Sequence, residues 1–328
     1  MKIPSLALSF VVFDQNLTLS DLRTAGQQIR GPFPVDITKL SYLQSLTLVW
    51  NEFYGLLPSE LGKMRHLLNI ELQYNFFSGL VPIEWYSAQA LQRISLSGNI
   101  LTGQIATEIG QLTSLKGVFL DVNLLNGTIP SEIGSLKYLA FTRWGSNSMK
   151  GTVPTEVGLL TNLKELWLRE NMFTGVIPSE LGNLQKLDDL RLNRNLFSGT
   201  IPDEIYSLSQ LQRLDAMDSN LTGTISTQIG NLTNLQILRL RRNNFEGTIP
   251  SELGNIGNLK VIWLHLNNIH GTVPLEVCAL RGSQGLLFID ADCRSDNPSV
   301  TPLVDCLSGC CTDCCDTYSE ICLTPITR

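Results

Sequence analysis

Charged residues make up only 16% of this 328-residue chain, histidines number three, and no cysteine precedes position 278. Each shortage excludes something. His66, His265 and His270 are few and scattered, and no G-x-S-x-G, H-E-x-x-H, P-loop or G-x-G-x-x-G stretch is present. The expectation is a chain without catalysis, cofactor or metal. A net charge of −6 and a pI near 5.2 argue against nucleic acid as a partner. No apolar run reaches the roughly eighteen residues that a membrane-spanning helix needs, so no span is expected in this chain.

What the chain has is a period. Residues 160–183, LTNLKELWLRENMFTGVIPSELGN, place leucines at 160, 163, 166 and 168, then Asn171, Phe173, Gly175, Ile177-Pro178 and Leu181-Gly182. The same template fits at starts of 40, 64, 88, 112, 136, 184, 208, 232 and 256, and a degenerate copy starts at 16. A fixed period of this length marks a solenoid, whose core grows by addition of turns. The pattern LxxLxxLxLxxNxLxGxIPxxLGx, nearly complete in 112–135 and 232–255, resembles the plant-type leucine-rich repeat family. The resemblance covers roughly residues 16 to 279. It implies an α/β fold, a right-handed solenoid of horseshoe or superhelical form. A concave parallel sheet would be backed by short 3-10 or α turns on the convex side.

The physics of one turn agrees. Leu166 and Leu168 are two apart and share one face of a short strand, while Trp167 and Arg169 take the other. Asn171 stands where the chain leaves the strand, and its amide both donates and accepts, which suits a hydrogen-bonded ladder between turns. Ser219 replaces that asparagine once. Pro178, lacking an amide hydrogen, suits the start of a turn, and the following four residues have room for one helical turn closed by Gly182. Glu60, Glu132, Glu156, Glu180, Glu204, Glu252 and Glu276 recur at this turn, as solvated acids at helix starts do.

Three segments follow: 1–15 as a leader or partial cap, 16–279 as eleven repeats, and 280–328 as a cysteine-rich cap and tail. Val11–Phe13 also suit an edge strand, and Leu287, Ile289 and Ala291 suit a last strand before periodicity stops. Cys278, Cys293, Cys306, Cys310, Cys311, Cys314, Cys315 and Cys322 are even in number and confined to one end, favouring disulfides in an oxidising compartment. Zinc binding and redox chemistry at Cys311-Thr-Asp-Cys314 are the rival readings. The tail resembles those of diatom leucine-rich repeat proteins. Sequons at Asn16, Asn126, Asn220 and Asn231 fit an extracellular or cell-surface location.

Function is expected on the concave face, where the template dictates nothing. Its outward positions include Phe119, Arg143, Trp167, Arg169, Arg191, Arg239, Arg241, Trp263 and His265, and Trp and Arg are enriched in binding hot spots. Trp50 and Tyr74 add an aromatic pair. Those arginines also have acids within reach in Asp189, Asp215 and Asp218, so mutual pairing is the plainer reading. The family resemblance implies a receptor-ectodomain-like or hydrolase-inhibitor-like module binding protein, peptide or anionic glycan. No oligomeric state follows from it. The alternative is a structural, adhesive or ice-binding surface built on Thr128, Thr152, Thr200, Thr224, Thr248 and Thr272.

Overall fold

Apolar residues two apart in a three- to five-residue strand, repeated every 24 residues, can be buried only if successive strands stack in parallel. The computed structural model shows this stacking. It describes residues 20–283, 285–286, 288–294, 304–305, 310, 313–316 and 322–323. The leader, Val11–Phe13, Asn16, Leu287, Cys306 and Cys311 lie outside the described residues. The chain divides into two compact units, Met1–Leu163 and Lys164–Arg328.

In the first unit, strands Asp21–Ala25, Ser45–Val49, Asn69–Glu71, Arg93–Ser95, Gly117–Phe119 and Phe141–Arg143 belong to one sheet. Register partners Leu46, Ile70, Ile94 and Val118 are each 24 residues apart and buried. A flank sheet of Arg30–Pro32, Glu52–Leu56, Phe76–Gly79, Ile100–Gly103 and Leu124–Leu125 accompanies it. Five-residue 3-10 helices then close each turn, from Val35–Lys39 to Thr155–Leu159.

The second unit repeats the plan. Its main strands are Glu165–Trp167, Asp189–Arg191, Arg213–Asp215, Ile237–Arg239 and Val261–Trp263, and its 3-10 helices run from Ser179–Asn183 to Ser251–Asn255. Pro178 precedes the first of these, and the N–H of Leu184 closes it on the carbonyl of Leu181. Gly182 is required by close approach: a Cβ there would stand 2.6 Å from the carbonyl oxygen of Glu204 in the next turn. Each unit is thus a solenoid of strand, turn and 3-10 helix, as the sequence predicts.

The asparagine ladder is present in both units. Asn195 Oδ1 accepts from the Phe173 N–H at 3.0 Å, while its Nδ2 donates to the carbonyls of Leu168 and Leu192 at 3.0 and 2.9 Å. Asn75, Asn99, Asn243 and Asn267 repeat these contacts. One buried carboxamide therefore satisfies backbone groups in two successive turns, groups that would otherwise cost about 1–3 kcal/mol each. Between the ladders, buried Phe53 stacks on Phe77 and Phe173 on Phe197, both with centroids 6.3 Å apart.

At the C-terminal end the strand expected from Ile289 and Ala291 is present, and further pairing follows it. The final turn is a true α-helix, Leu275–Ser283. Strand Phe288–Arg294 then joins the main sheet in parallel beside Val261–Trp263, with Ile289 and Ala291 buried. Asp313–Asp316 pairs beyond it, followed by Cys322–Leu323 in antiparallel sense. An uncovered strand edge with free N–H and C=O groups favours such pairing even without a sequence period. Cys278 on the helix is bonded to Cys310, and Arg281 Nη1 donates to the Cys310 carbonyl at 3.0 Å. Cys293, Cys314, Cys315 and Cys322 fall within described strands.

Candidate binding face

The outward residues of the second unit's main sheet lie in register rows. One row reads Trp167, Arg191, Asp215, Arg239, Trp263, each the Cα partner of the next. Four strand steps separate the two tryptophans, about 19 Å at the ordinary strand spacing. Both rings are half-buried, and each carries a guanidinium: Arg191 sits 3.8 Å from the Trp167 ring and Arg239 4.2 Å from the Trp263 ring. Arg241 approaches Trp263 from the next position at 5.4 Å. Such cation–π contacts contribute about 0.5–2 kcal/mol, more as water is excluded.

Acids fix the arginines from below. Asp189 takes Nε and Nη2 of Arg191 in a fork, at 2.9 and 2.7 Å, and lies 3.7 Å from Arg213. Asp215 accepts from Arg239 Nη1 at 3.3 Å. Along one edge Arg194 bridges Glu170 and Asp218, at 3.0 and 3.7 Å, and Arg242 reaches Asp218 at 3.5 Å. Arg169 pairs with Glu170 at 3.0 Å. Exposed pairs of this kind add only about 0–1 kcal/mol each to stability.

Burial strains part of this network. Asp215 is 3% exposed, and desolvation raises its carboxyl above the ordinary range although Arg239 opposes the shift. Its Oδ1 has no hydrogen-bond partner. Desolvation also lowers Arg213, helped by the charge of Arg191 and resisted by Asp189. Asp188, on the neighbouring turn, is raised by burial and then by repulsion from Glu165 and Asp189.

Two expected face residues are withdrawn from solvent. Phe119, in the first unit, is buried beneath Arg93 at 4.1 Å and Arg143 at 5.3 Å, its ring lying over Gly117. His265 is buried because strand Phe288–Arg294 pairs alongside its turn and makes it an interior position. Trp167, Arg169, Arg191, Arg239, Arg241 and Trp263 do come together on one face of the second unit. The pattern missed a row in Glu165, Asp189 and Arg213, one place before the first inward leucine. Its signal was legible: the period-2 alternation continues backwards through Leu166, Leu190 and Leu214. Elsewhere, Thr200, Thr224, Thr248 and Thr272 are exposed, and the last three line a groove of about 790 Å³ with Ile225 and Ile249. Among the sequons, Asn126, Asn220 and Asn231 are exposed. Among the described residues no cluster of metal-ligating groups occurs, and no helix is long and apolar enough to cross a membrane.

Comparison with known proteins gives the same architecture. A family model described as Leucine Rich Repeat matches residues 90–112, 162–184 and 234–256. No curated protein sequence matches significantly. Among solved structures, a TDR receptor is 31% identical with a TM-score of 0.72, covering 81% of this chain and 52% of its own. The Arabidopsis receptor kinase HAESA, solved with the peptide hormone IDA and the co-receptor SERK1, is 30% identical with a TM-score of 0.69, covering 83% and 50%. A plant ice-binding protein, 22% identical with a TM-score of 0.62, covers 78% and 81% and shares the fold. The chain spans about half the length of the two receptor chains.

Proposed function

The chain is a leucine-rich repeat protein, a non-catalytic scaffold for binding, and from that premise we propose that the second unit's outward face binds an extended peptide or protein segment bearing anionic groups. The observation that carries this is the row Trp167–Arg191–Asp215–Arg239–Trp263, with guanidiniums already seated on both indole rings. Arg191 uses Nε and Nη2 on Asp189, and the Nη1 edge of its fork is left for an acceptor. Carboxylates suit such forks, and indole faces suit the apolar parts of a peptide. Because the sheet and its ion pairs are formed in advance, little ordering entropy opposes binding. The arginines Arg169, Arg191, Arg194, Arg213, Arg239, Arg241 and Arg242 outnumber Glu165, Glu170, Asp189, Asp215 and Asp218 on a chain that is acidic as a whole, which favours an anionic ligand. An extracellular or cell-surface location is part of the same proposal, supported by the Cys278–Cys310 disulfide and by the build shared with receptor chains.

The test uses the purified chain on immobilised arrays of extended acidic peptides, with sulfated glycans alongside. Trp263→Ala and Arg191→Gln should each weaken peptide capture at least tenfold while leaving the melting temperature within a few degrees. Capture indifferent to both changes removes the site, and capture by glycans alone removes the peptide. A thermal-hysteresis measurement separates the threonine row: activity lost on Thr224→Leu would assign the chain to an ice surface instead.

A further inference from the structure

The first unit carries a second surface of opposite chemistry. Trp50, Tyr74, Phe76, Ile100, Val122 and Leu124 are all exposed, on or beside the flank strands that begin at Glu52, Phe76, Ile100 and Leu124. Trp50 stacks on Tyr74 with centroids 3.8 Å apart and planes 14° from parallel, yet is still 60% exposed. The Tyr74 ring in turn lies against Gly98, where any Cβ would come within 2.5 Å of it. Phe76 and Leu124 are 53% and 55% exposed. Tyr54, Leu56 and Leu80 border them and are exposed as well.

Folding does not ask for these side chains. At the positions of Phe76, Ile100 and Leu124, the second unit has Met172 and Leu196 and then Asn220, Asn244 and Asn268, and the asparagine-led segments build the same strands. At the positions of Trp50, Tyr74 and Val122 it has Glu170, Arg194, Asp218 and Arg242, with Leu266 as the one apolar member. Val122 is the sharper case. It holds a left-handed φ of 57°, where a β-branched residue is strained, and still turns its side chain to solvent. With ~200 Å² for a large apolar side chain, nine of them about half exposed present on the order of 900 Å². That exceeds the largest apolar patch of an ordinary monomer, roughly 300–600 Å², and matches the ~800 Å² that each partner contributes to a standard interface.

We propose that this face is a self-association surface, occupied by a second copy of the chain whose own apolar face meets it about a two-fold axis. The face has the area a stable dimer needs. It also lacks the rows of charge that would call for a partner of opposite sign, so it is complementary to itself. The proposal stands apart from the peptide site, which lies on the other unit.

Sedimentation equilibrium of the full chain, from roughly 1 to 100 μM, the range over which transient interfaces of this size dissociate, tests it. The wild type should show a concentration-dependent dimer. Phe76→Asp with Leu124→Asp should weaken it at least 100-fold, while Leu196→Asp, at the same strand position in the second unit, should leave it unchanged. Circular-dichroism melts confirm that the variants fold, and Ile100→Lys replaces the pair if they do not. Trp263→Ala should dimerise normally. A wild type that stays monomeric throughout, or a dimer indifferent to both charged variants, overturns the proposal.

Discussion

Ser219 interrupts a ladder whose other members are asparagines, and repairing it should stabilise the chain. By the geometry of Asn195 and Asn243, an asparagine here would accept from the Phe197 N–H and donate to the carbonyls of Leu192 and Ala216. Serine is too short for any of these, and its own Oγ is buried without a partner. Space for the missing amide exists: a depression lined by Asn195, Asp218, Ser219 and Asn243 opens at this turn. Ala216 and Leu192 already accept from Asn243 and Asn195, so the main gain is the Phe197 amide. Satisfying one buried donor is worth about 1–3 kcal/mol, and ordering the longer side chain costs up to about 1 kcal/mol. Ser219→Asn should therefore add about 1–2 kcal/mol. Denaturant unfolding measures the total, but a repeat array can unfold in parts. Amide exchange at Phe197 is the decisive readout and should slow by roughly tenfold or more, as 1.4 kcal/mol implies. The mirror experiment, Asn195→Ser, should cost about as much and speed exchange at Phe173. Unchanged exchange at Phe197 in the repaired chain would refute the ladder as a source of stability.

Two further outcomes follow from the cap and from a buried phenol. Reduction of Cys278–Cys310, or Cys278→Ala, should cost about 2–4 kcal/mol, since the bond closes 32 residues of sequence separation; the readout is a lowered melting temperature, and an unaffected melt would remove the cap's clamping role. Tyr86 is buried and holds its proton to about 12, chiefly through desolvation. Between its ordinary value near 10 and 12, the unfolded chain releases a proton that the folded chain keeps, so stability falls as pH rises through that window, by about 2–3 kcal/mol in all. Tyr86→Phe should lose less stability than wild type between pH 9 and 12, and parallel curves would contradict the assignment.

The strict phase made the main strands, the 3-10 turns, the ladder and even the break at Ser219 legible before any coordinates. Trp167, Arg191, Arg239 and Trp263 were legible for the converse reason, since the template leaves their positions free. What stayed hidden depends on neighbours in space. Nothing in the local sequence of Phe119 says that Arg93, from the preceding turn, will lie across its ring. The strand holding Ile289 and Ala291 was legible, but that its pairing beside Val261–Trp263 leaves His265 in the interior was not. The apolar flank of the first unit was missed because attention to the main sheet ignores the column that begins each flank strand, where Phe76, Ile100 and Leu124 stand.

The positions just before each ladder residue show how function is written into such a scaffold. Trp50, Tyr74, Val122, Ser146, Glu170, Arg194, Asp218, Arg242 and Leu266 all hold φ between 52° and 58°. A non-glycine residue there costs roughly 1–2 kcal/mol, and Gly98, with φ of 67°, shows that glycine fits the same turn. The strain is therefore tied to what the side chains do. In the second unit Arg194 and Arg242 join Glu170 and Asp218 in one edge of ion pairs. In the first, Trp50 and Tyr74 stack, and Val122 stands exposed near Leu124. One backbone turn thus supports a charged rim in one unit and an apolar rim in the other. Replacing Arg194 by glycine should relieve strain yet loosen the rim, whereas replacing Val122 by glycine should only relieve strain unless the apolar face is occupied. A Val122→Gly chain that gains stability as a monomer but loses self-association would locate the reason for that valine outside the fold.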